Sequence, residues 1–238
     1  MTRVDVRATL AKRRADVAAM FDGVASKYDL MNDVMTAGQH RLWRREVVRA
    51  VDPRPGQRIL DLAAGTGSSS RPFADAGALV VPVDLSFGMV SEGHRRNPDL
   101  GFVNADALTL PFADRTFDAV TISYGMRNVE HTEQALAEML RVTAPGGVVV
   151  ILEFSTPTWK PFRELYRRYL LQGIPVAAGL FSSNPAAYDY LAESILGWPD
   201  QRTFASLLAD AGWRDVEWKN LTGGIVALHR AGAPRAAA

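Results

Sequence analysis

Apolar and polar positions along this chain switch repeatedly between a helical and an extended rhythm. Val6 to Phe21 has helical spacing, with Val17, Met20 and Phe21 on one side, and Gln39 to Val51 reads as a second helix ending before Pro53. Asp29 to Thr36, between them, mixes helix formers with turn residues. Arg58 to Ala63 (RILDLA) is a buried-strand run broken by Gly65 and Gly67, after which Ser69 to Ala76 forms a helix closed by Gly77. Ala78 to Val83 is a second strand ending at Asp84, followed by a helix over Phe87 to Arg96. A short strand over Gly101 to Ala105, a fourth over Thr116 to Ser123, a helix over Thr132 to Val142 and a fifth strand over Val148 to Phe154 continue the alternation. Strand and helix in turn are the signature of a parallel, doubly wound α/β sheet.

Past Phe154 the rhythm breaks. Thr156 to Leu196 is helical, aromatic and interrupted by Pro and Gly, which suggests an insertion over the sheet edge. Thr203 to Ala211 is a helix ended by Gly212. Arg214 to Asn220 and Gly223 to His229 then read as two antiparallel strands joined by a tight turn, with a loose tail from residue 231. There is no internal repeat. The expectation is one domain over residues 1–238, with an N-terminal helical cap over 1–52 and a helical insertion over 156–198.

Composition narrows the class. The 238 residues are 47% hydrophobic and 22% charged, as in an ordinary globular domain, and the net charge of +1 gives no reason to expect a nucleic-acid partner. No cysteine is present, which rules out disulfides, thiolate metal sites and cysteine nucleophiles. Four histidines, His40, His94, His131 and His229, show no spacing that suggests a metal, so none is expected. No apolar run approaches the roughly 18–20 residues that span a bilayer, and Met1 to Met20 lacks the apolar core of a signal peptide. A cytoplasmic protein is the expectation.

The sharpest chemical signal is Asp61-Leu62-Ala63-Ala64-Gly65-Thr66-Gly67, directly after a strand and before a helix. Glycines there let the backbone turn tightly and approach a ligand, with the helix N-terminus aimed at it. A dinucleotide fingerprint would need a third glycine where Ser70 stands, which argues against a nicotinamide cofactor. Asp84 closes the second strand 17 residues beyond Gly67, placed to hold both hydroxyls of a ribose, although a strand-end acid in water has the same pattern. Asp106 and Ala107 end the third strand. These positions lie where open α/β sheets bind ligands, at the carboxyl ends of strands.

With these residues the chain resembles class I S-adenosylmethionine methyltransferases. The resemblance implies a Rossmann-like, seven-stranded, mostly parallel sheet in order 3-2-1-4-5-7-6, with strand 7 antiparallel. It also implies that Asp61, Gly65, Thr66, Gly67, Asp84, Asp106, Ala107 and Ser123 form the cofactor site, with Gly65 and Gly67 under the methionine, Asp84 on the ribose, and Asp106 and Ala107 at the adenine. Two further blocks narrow the family. Phe21 to Asp33 (FDGVASKYDLMND), with Gly38 to Arg44 (GQHRLWR), and Ile122 to Val129 (ISYGMRNV) resemble the ubiquinone and menaquinone C-methyltransferases. Glu153-Phe154-Ser155, Pro199-Asp200-Gln201 and Asn220 to Ala227 (NLTGGIVA) extend the likeness from about Met20 to His229. Ala64, Ser68-Ser69 and Gly197-Trp198 depart from that pattern.

What the resemblance implies is C-methylation of a polyprenyl demethylmenaquinol ring. A ubiquinol precursor, another phenol, and a catalytically silent cofactor-binding partner stay open as alternatives. Arg127, Asn128 and Tyr28 are the expected catalytic residues. Arg127 and Asn128 would donate hydrogen bonds to a quinol oxygen, with water oriented by Arg127 taking the proton. An arginine stays protonated and is a poor base itself, and Arg127 equally suits a structural ion pair with Glu130 or Asp29. Trp159, Phe162, Leu165, Tyr166 and Tyr169, beside Arg163, Arg167 and Arg168, suit a lid, a peripheral contact with the inner face of the membrane, or a homodimer interface.

Overall fold

A computed structural model describes residues 9, 11–22, 36, 38–173 and 185–235, with backbone alone at 185–189. Seven strands form a single sheet in order β3-β2-β1-β4-β5-β7-β6. They are β1 (Arg58–Leu62), β2 (Leu79–Asp84), β3 (Val103–Asn104), β4 (Phe117–Ser123), β5 (Thr143–Phe154), β6 (Arg214–Leu221) and β7 (Val226–Gly232). β1 to β5 pair in parallel, whereas β7 runs antiparallel to both β5 and β6. The sheet thus has the order and hand of pairing that the resemblance implies.

The central strands read as unbroken apolar runs because helices cover both faces. On one face Leu60, Leu62, Val120, Ile122, Val149 and Ile151 pack into a fully enclosed core. The helices α5 (Thr132–Val142) and α8 (Gln201–Asp210) supply Leu136, Met139, Phe204 and Leu208 to it. On the other face Ile59, Ala119, Val150 and Leu152 meet Trp43, Val47 and Val51 of α2 (Gln39–Val51) and Phe73 of α3 (Arg71–Asp75). Alternate residues of each strand go to opposite faces, so the period of two fixes which side chain meets which layer.

The remaining helices stand around the carboxyl ends of the strands. α4 (Phe87–Arg96) follows β2, and α1 (Arg14–Asp22) packs beside it. Val17 and Met20 of α1 cluster with Tyr190 of α7 (Pro185–Leu196). α6 (Lys160–Arg168) continues into a wider helical turn over Tyr169–Gly173, and its Tyr166 and Leu170 pack on Ala192 and Ile195 of α7. No helix among the described residues is long and apolar enough to cross a membrane.

The strands that differ most from the sequence reading are β5 and β7. β5 starts at Thr143 rather than Val148, pairing with β4 through an irregularity between Phe117 and Ala119. A Cβ on Gly147 would lie 2.8 Å from the Asp118 carbonyl, so glycine there serves close strand approach inside the sheet. β7 runs to Gly232 rather than stopping at His229, and Thr222–Gly224 forms the turn before it. The tail expected from residue 231 is therefore sheet at its start: Ala231 is fully buried and the Ala233 amide donates to the Gly147 carbonyl at 2.8 Å. Alanine and glycine carry too little hydrophobic contrast to announce a strand, and the long β5 is what recruits them.

Candidate active site

A cavity opens over the carboxyl ends of β1, β2 and β4, enclosing about 820 Å³ with its open mouth included. Its floor is the turn after β1, where Ala63, Gly65 and Gly67 all take positive φ, at 50°, 55° and 82°. Asp61 anchors that turn from below. Its carboxylate accepts hydrogen bonds from Ser69 (2.7 Å), Ser70 (2.6 Å) and Thr121 (2.8 Å), and its burial raises its pKa. Sequence reading put Asp61 on the cofactor; the structure gives its oxygens to the turn and to β4 instead.

Gly65 lines the cavity, whereas Gly67 and Thr66 do not. A Cβ on Gly67 would lie 2.6 Å from Phe102 Cζ, so this glycine makes room for a packed ring behind the turn. Thr66 is buried, and its carbonyl accepts from Asn97 Nδ2 at 3.1 Å. Asp84, Asp106, Ala107 and Ser123 all reach the cavity wall, joined by Ser86, Met89 and Leu108.

Asp84 is the best-defined polar group in the cavity. Its Oδ2 accepts from the Gly65 amide and its Oδ1 from the Ser86 amide, both at 2.9 Å. Desolvation by burial, the largest influence, pushes its pKa up to about 6 despite those two hydrogen bonds. Each carboxylate oxygen retains capacity for a second donor, the requirement for holding a vicinal diol. The residues present thus fit a ribose.

One wall was invisible in the sequence. α1 contributes Arg14, Val17, Ala18 and Phe21 to the cavity. Arg14 Nη1 lies 2.6 Å from Asp106 Oδ2. At the other end of α1, Asp22 Oδ1 accepts from the Ser86 hydroxyl and from the Gly88 amide, the latter at 2.8 Å. Ser86 itself caps α4 by accepting from the Met89 amide at 3.0 Å. Asp22 supplies a second acceptor to the same helix N-terminus, where negative charge is favoured. The only signal for this was the FD pair at the head of the FDGVASKYD block, which carries no hint of its partner 64 positions away. Tyr28, expected to be catalytic, lies outside the described residues, as does Asp29.

The turn after β4 holds the expected acceptor-side pair. Met126–Asn128 form one short helical turn. Asn128 lines the cavity and Arg127 does not. Arg127 Nη1 donates to Glu153 Oε1 at 3.0 Å and also to the Tyr124 carbonyl, while the Arg127 amide donates to Glu153 Oε2 at 3.2 Å. The guanidinium also stacks 5.1 Å from the centre of the Phe154 ring, and its Nε has no hydrogen-bond partner among the described residues. An ion pair was one of the two readings open for Arg127. The pair exists, with Glu153 of β5 rather than Glu130, whereas Asp29 lies outside the described residues.

Asn128 Oδ1 accepts from the Tyr190 hydroxyl at 3.0 Å, and its Nδ2 reaches the Tyr124 carbonyl only at 3.5 Å. At that distance Nδ2 is barely engaged and keeps its donor capacity for another acceptor. No cluster of three or more His, Cys, Asp or Glu able to hold a metal occurs among the described residues.

Known proteins match both the sequence and the fold. The family model described as "ubiE/COQ5 methyltransferase family" matches residues 8–233. A demethylmenaquinone methyltransferase of Streptomyces griseus is 61% identical over 225 residues, covering 94% of this chain and 98% of the relative. One of Renibacterium salmoninarum is 60% identical over 225 residues, covering 94% and 95%. Among solved structures, phosphoethanolamine N-methyltransferase 2 of Haemonchus contortus, in complex with S-adenosyl-L-methionine, superposes with a TM-score of 0.60 at 16% identity, covering 81% of this chain and 52% of that one. A SAM-dependent methyltransferase of Aquifex aeolicus does so with a TM-score of 0.59 at 15% identity, covering 80% and 89%. At those identities the structures speak for the fold alone, whereas the match over residues 8–233 and relatives identical at three positions in five establish that this chain belongs to the ubiE/COQ5 methyltransferase family.

Proposed function

We propose that this chain transfers the methyl group of S-adenosylmethionine to the unsubstituted ring carbon of a demethylmenaquinol, giving menaquinol. The observation that carries the reading is one cavity that joins Asp84, suited to a ribose, to Asn128, suited to a quinol oxygen. The demethylmenaquinone methyltransferases that this chain resembles at about 60% identity supply the acceptor class.

The methyl sulfonium arrives activated, so the protein's task is chiefly alignment. Gly65 and Ala63 would let the cofactor lie close over the β1 turn, Asp84 would accept from the ribose hydroxyls, and Asp106 and Ala107 with Leu108 would border the base. α1 closes the wall through Arg14 and Phe21 and keeps water from the reacting centre. Loss of a phenolic proton makes the quinol ring carbon nucleophilic. The carbon–methyl bond forms as the sulfur–methyl bond breaks, the ring hydrogen then leaves as a proton, the phenolate oxygen regains one, and one proton is released in sum. Asn128 Nδ2 donates to the quinol oxygen as negative charge grows there, with Oδ1 held by Tyr190 so that the amide faces the right way. Arg127, held by Glu153, acts from behind this amide and fixes the turn that presents it.

A peripheral membrane contact belongs to the same reading. Trp159, Leu165, Tyr169 and Leu171 are exposed, at 68%, 64%, 47% and 51%. Lys160, Arg163, Arg167 and Arg168 stand among them, a combination suited to anionic lipid. Methyl transfer from labelled S-adenosylmethionine to chemically reduced demethylmenaquinone, beside a ubiquinone-pathway quinol and a soluble phenol, tests the reaction. Product from the naphthoquinol alone supports it, and product from another acceptor alone overturns the choice of substrate. Flotation with anionic vesicles supports the membrane contact. Failure to float, with doubled mass in solution, assigns the exposed face to a homodimer instead.

A further inference from the structure

β1 and β4 run side by side up to the register that sets Leu62 beside Ile122. Beyond it each chain holds to its outer neighbour. The Ala64 amide donates to the Val83 carbonyl of β2 at 3.1 Å, and the Tyr124 amide to the Leu152 carbonyl of β5 at 2.8 Å. The sheet thus splits between β1 and β4, where its strand order reverses and an open α/β sheet takes its ligand.

Across this split the Ala63 methyl group seats on Gly125. A Cβ on Gly125 would lie 2.4 Å from the Ala63 Cβ, and both residues line the cofactor cavity. Gly125 has φ −104° and ψ −32°, a conformation open to any residue, so it is space that calls for glycine there. Ala63 is the reverse case. Its φ of 50° is left-handed, which glycine adopts freely and alanine only under strain. The chain therefore carries a methyl group where its backbone favours none, opposite a position with no room for one. Strain of this kind collects at working sites. Each partner also leads directly to a group of the cavity. The Gly125 carbonyl accepts from the Asn128 amide at 3.0 Å, and Ala63 stands two residues before Gly65, whose amide donates to Asp84.

We propose that the Ala63 methyl group, seated on Gly125, is a spacer that fixes how far the cofactor turn stands from the turn carrying Asn128. The proposal rests on the quinol methylation read above and assigns Ala63 to it as a positioning residue. In-line transfer tolerates little error in that gap, since a displacement of about 1 Å between reacting groups costs on the order of 10²-fold in rate. The spacer acts on the rate of transfer more than on binding, because each turn makes its own contacts with its own substrate.

The test measures kcat with reduced demethylmenaquinone, the dissociation constant of S-adenosylhomocysteine, and the melting temperature. Ala63→Gly removes spacer and strain together. It should melt no lower than wild type, yet lose about tenfold in kcat. Gly125→Ala adds a second methyl group, and the turns must part by about 1 Å to regain ordinary carbon contact. Its kcat should fall about 10²-fold, with the dissociation constant changed less than about threefold. The double variant, A63G with G125A, carries the methyl group on the opposite turn and should regain about tenfold over Gly125→Ala. Ala63→Gly with the kcat of wild type, or a double variant no faster than Gly125→Ala, overturns the proposal. Should Gly125→Ala not fold, kcat and melting of Ala63→Gly decide it alone. If wild type methylates no quinol, the proposed reaction fails first. The spacer is then judged from crystal structures with S-adenosylhomocysteine: turns parted in Gly125→Ala and closed again in the double variant support it, and an unchanged gap overturns it.

Discussion

Arg127 donates to Glu153 across 3.0 Å, and their side chains are only 8% and 2% exposed. A buried pair of this kind makes the simplest mutation misleading. Arg127→Ala strands the Glu153 carboxylate without its cation, which costs about 3–5 kcal/mol of stability. Lost activity in that variant would follow from unfolding as easily as from chemistry. Replacing both partners with apolar groups, in Arg127→Met with Glu153→Leu, should restore most of the melting temperature. If the double variant is stable and still transfers methyl at the wild-type rate, Arg127 has no part in the reaction. The expected result is a stable protein with kcat reduced at least tenfold.

Asp84 ties cofactor binding to pH. With its pKa near 6, the carboxyl is half neutral there and gives up acceptor capacity below it. Cofactor affinity should therefore fall as pH drops from 7 to 5, measured by titration calorimetry. The linkage to folding has the opposite sign. A pKa raised above the unfolded value of 3.8 means the folded chain without cofactor binds the proton more tightly, so this group favours folding as pH falls from about 6 toward 4. Asp84→Asn should weaken the cofactor by about 1.5–3 kcal/mol and flatten its pH profile.

Gly88→Ala should separate the two roles of the α4 N-terminus. Alanine within a helix ordinarily gains about 1 kcal/mol over glycine. Here the new Cβ would lie 2.9 Å from Asp22 Oδ1 and 3.1 Å from its Cα, displacing the acceptor that holds α1. The variant should melt no lower than wild type, yet release cofactor faster and be cut sooner by trypsin at Arg13 or Arg14. Unchanged release and cleavage would show that Asp22 does not secure the cavity wall.

Gly67→Ala should fail through folding. Its φ of 82° costs a residue with a side chain about 1–2 kcal/mol, and its Cβ would meet Phe102. Thermal denaturation should show a clear loss, partly recovered by adding Phe102→Leu. Cofactor affinity measured well below the melting temperature should change little, since Gly67 is not among the residues that line the cavity. A large loss of affinity in a stable variant would place Gly67 under the cofactor after all.

Much of this was legible in the sequence because it is local. The spacing of Val, Ile and Leu over β1 and β4 marks strands, since burial on both faces demands continuous apolar runs. Phe87–Arg96 and Thr132–Val142 have the helical period at both ends, and the structure gives them those bounds. The DLAAGTG turn and Asp84 sit where strand ends must face a ligand. The sheet order and the acceptor class came from likeness to a family, which no periodicity supplies.

Only tertiary structure could decide which oxygens are already engaged. Asp61 and Asp84 look alike in sequence, each an acid at a strand end, yet one faces Ser69, Ser70 and Thr121 while the other opens into the cavity. Arg127 and Asn128 are neighbours in one turn, but only Asn128 reaches the cavity, because Glu153 lies behind its neighbour on β5. Asp22 finds Ser86, and Ala231 finds the long β5, through contacts that are distant along the chain. Hydrophobic period reports a residue's own surroundings within a turn or a strand; hydrogen-bond partners and cavity walls depend on where the other elements arrive.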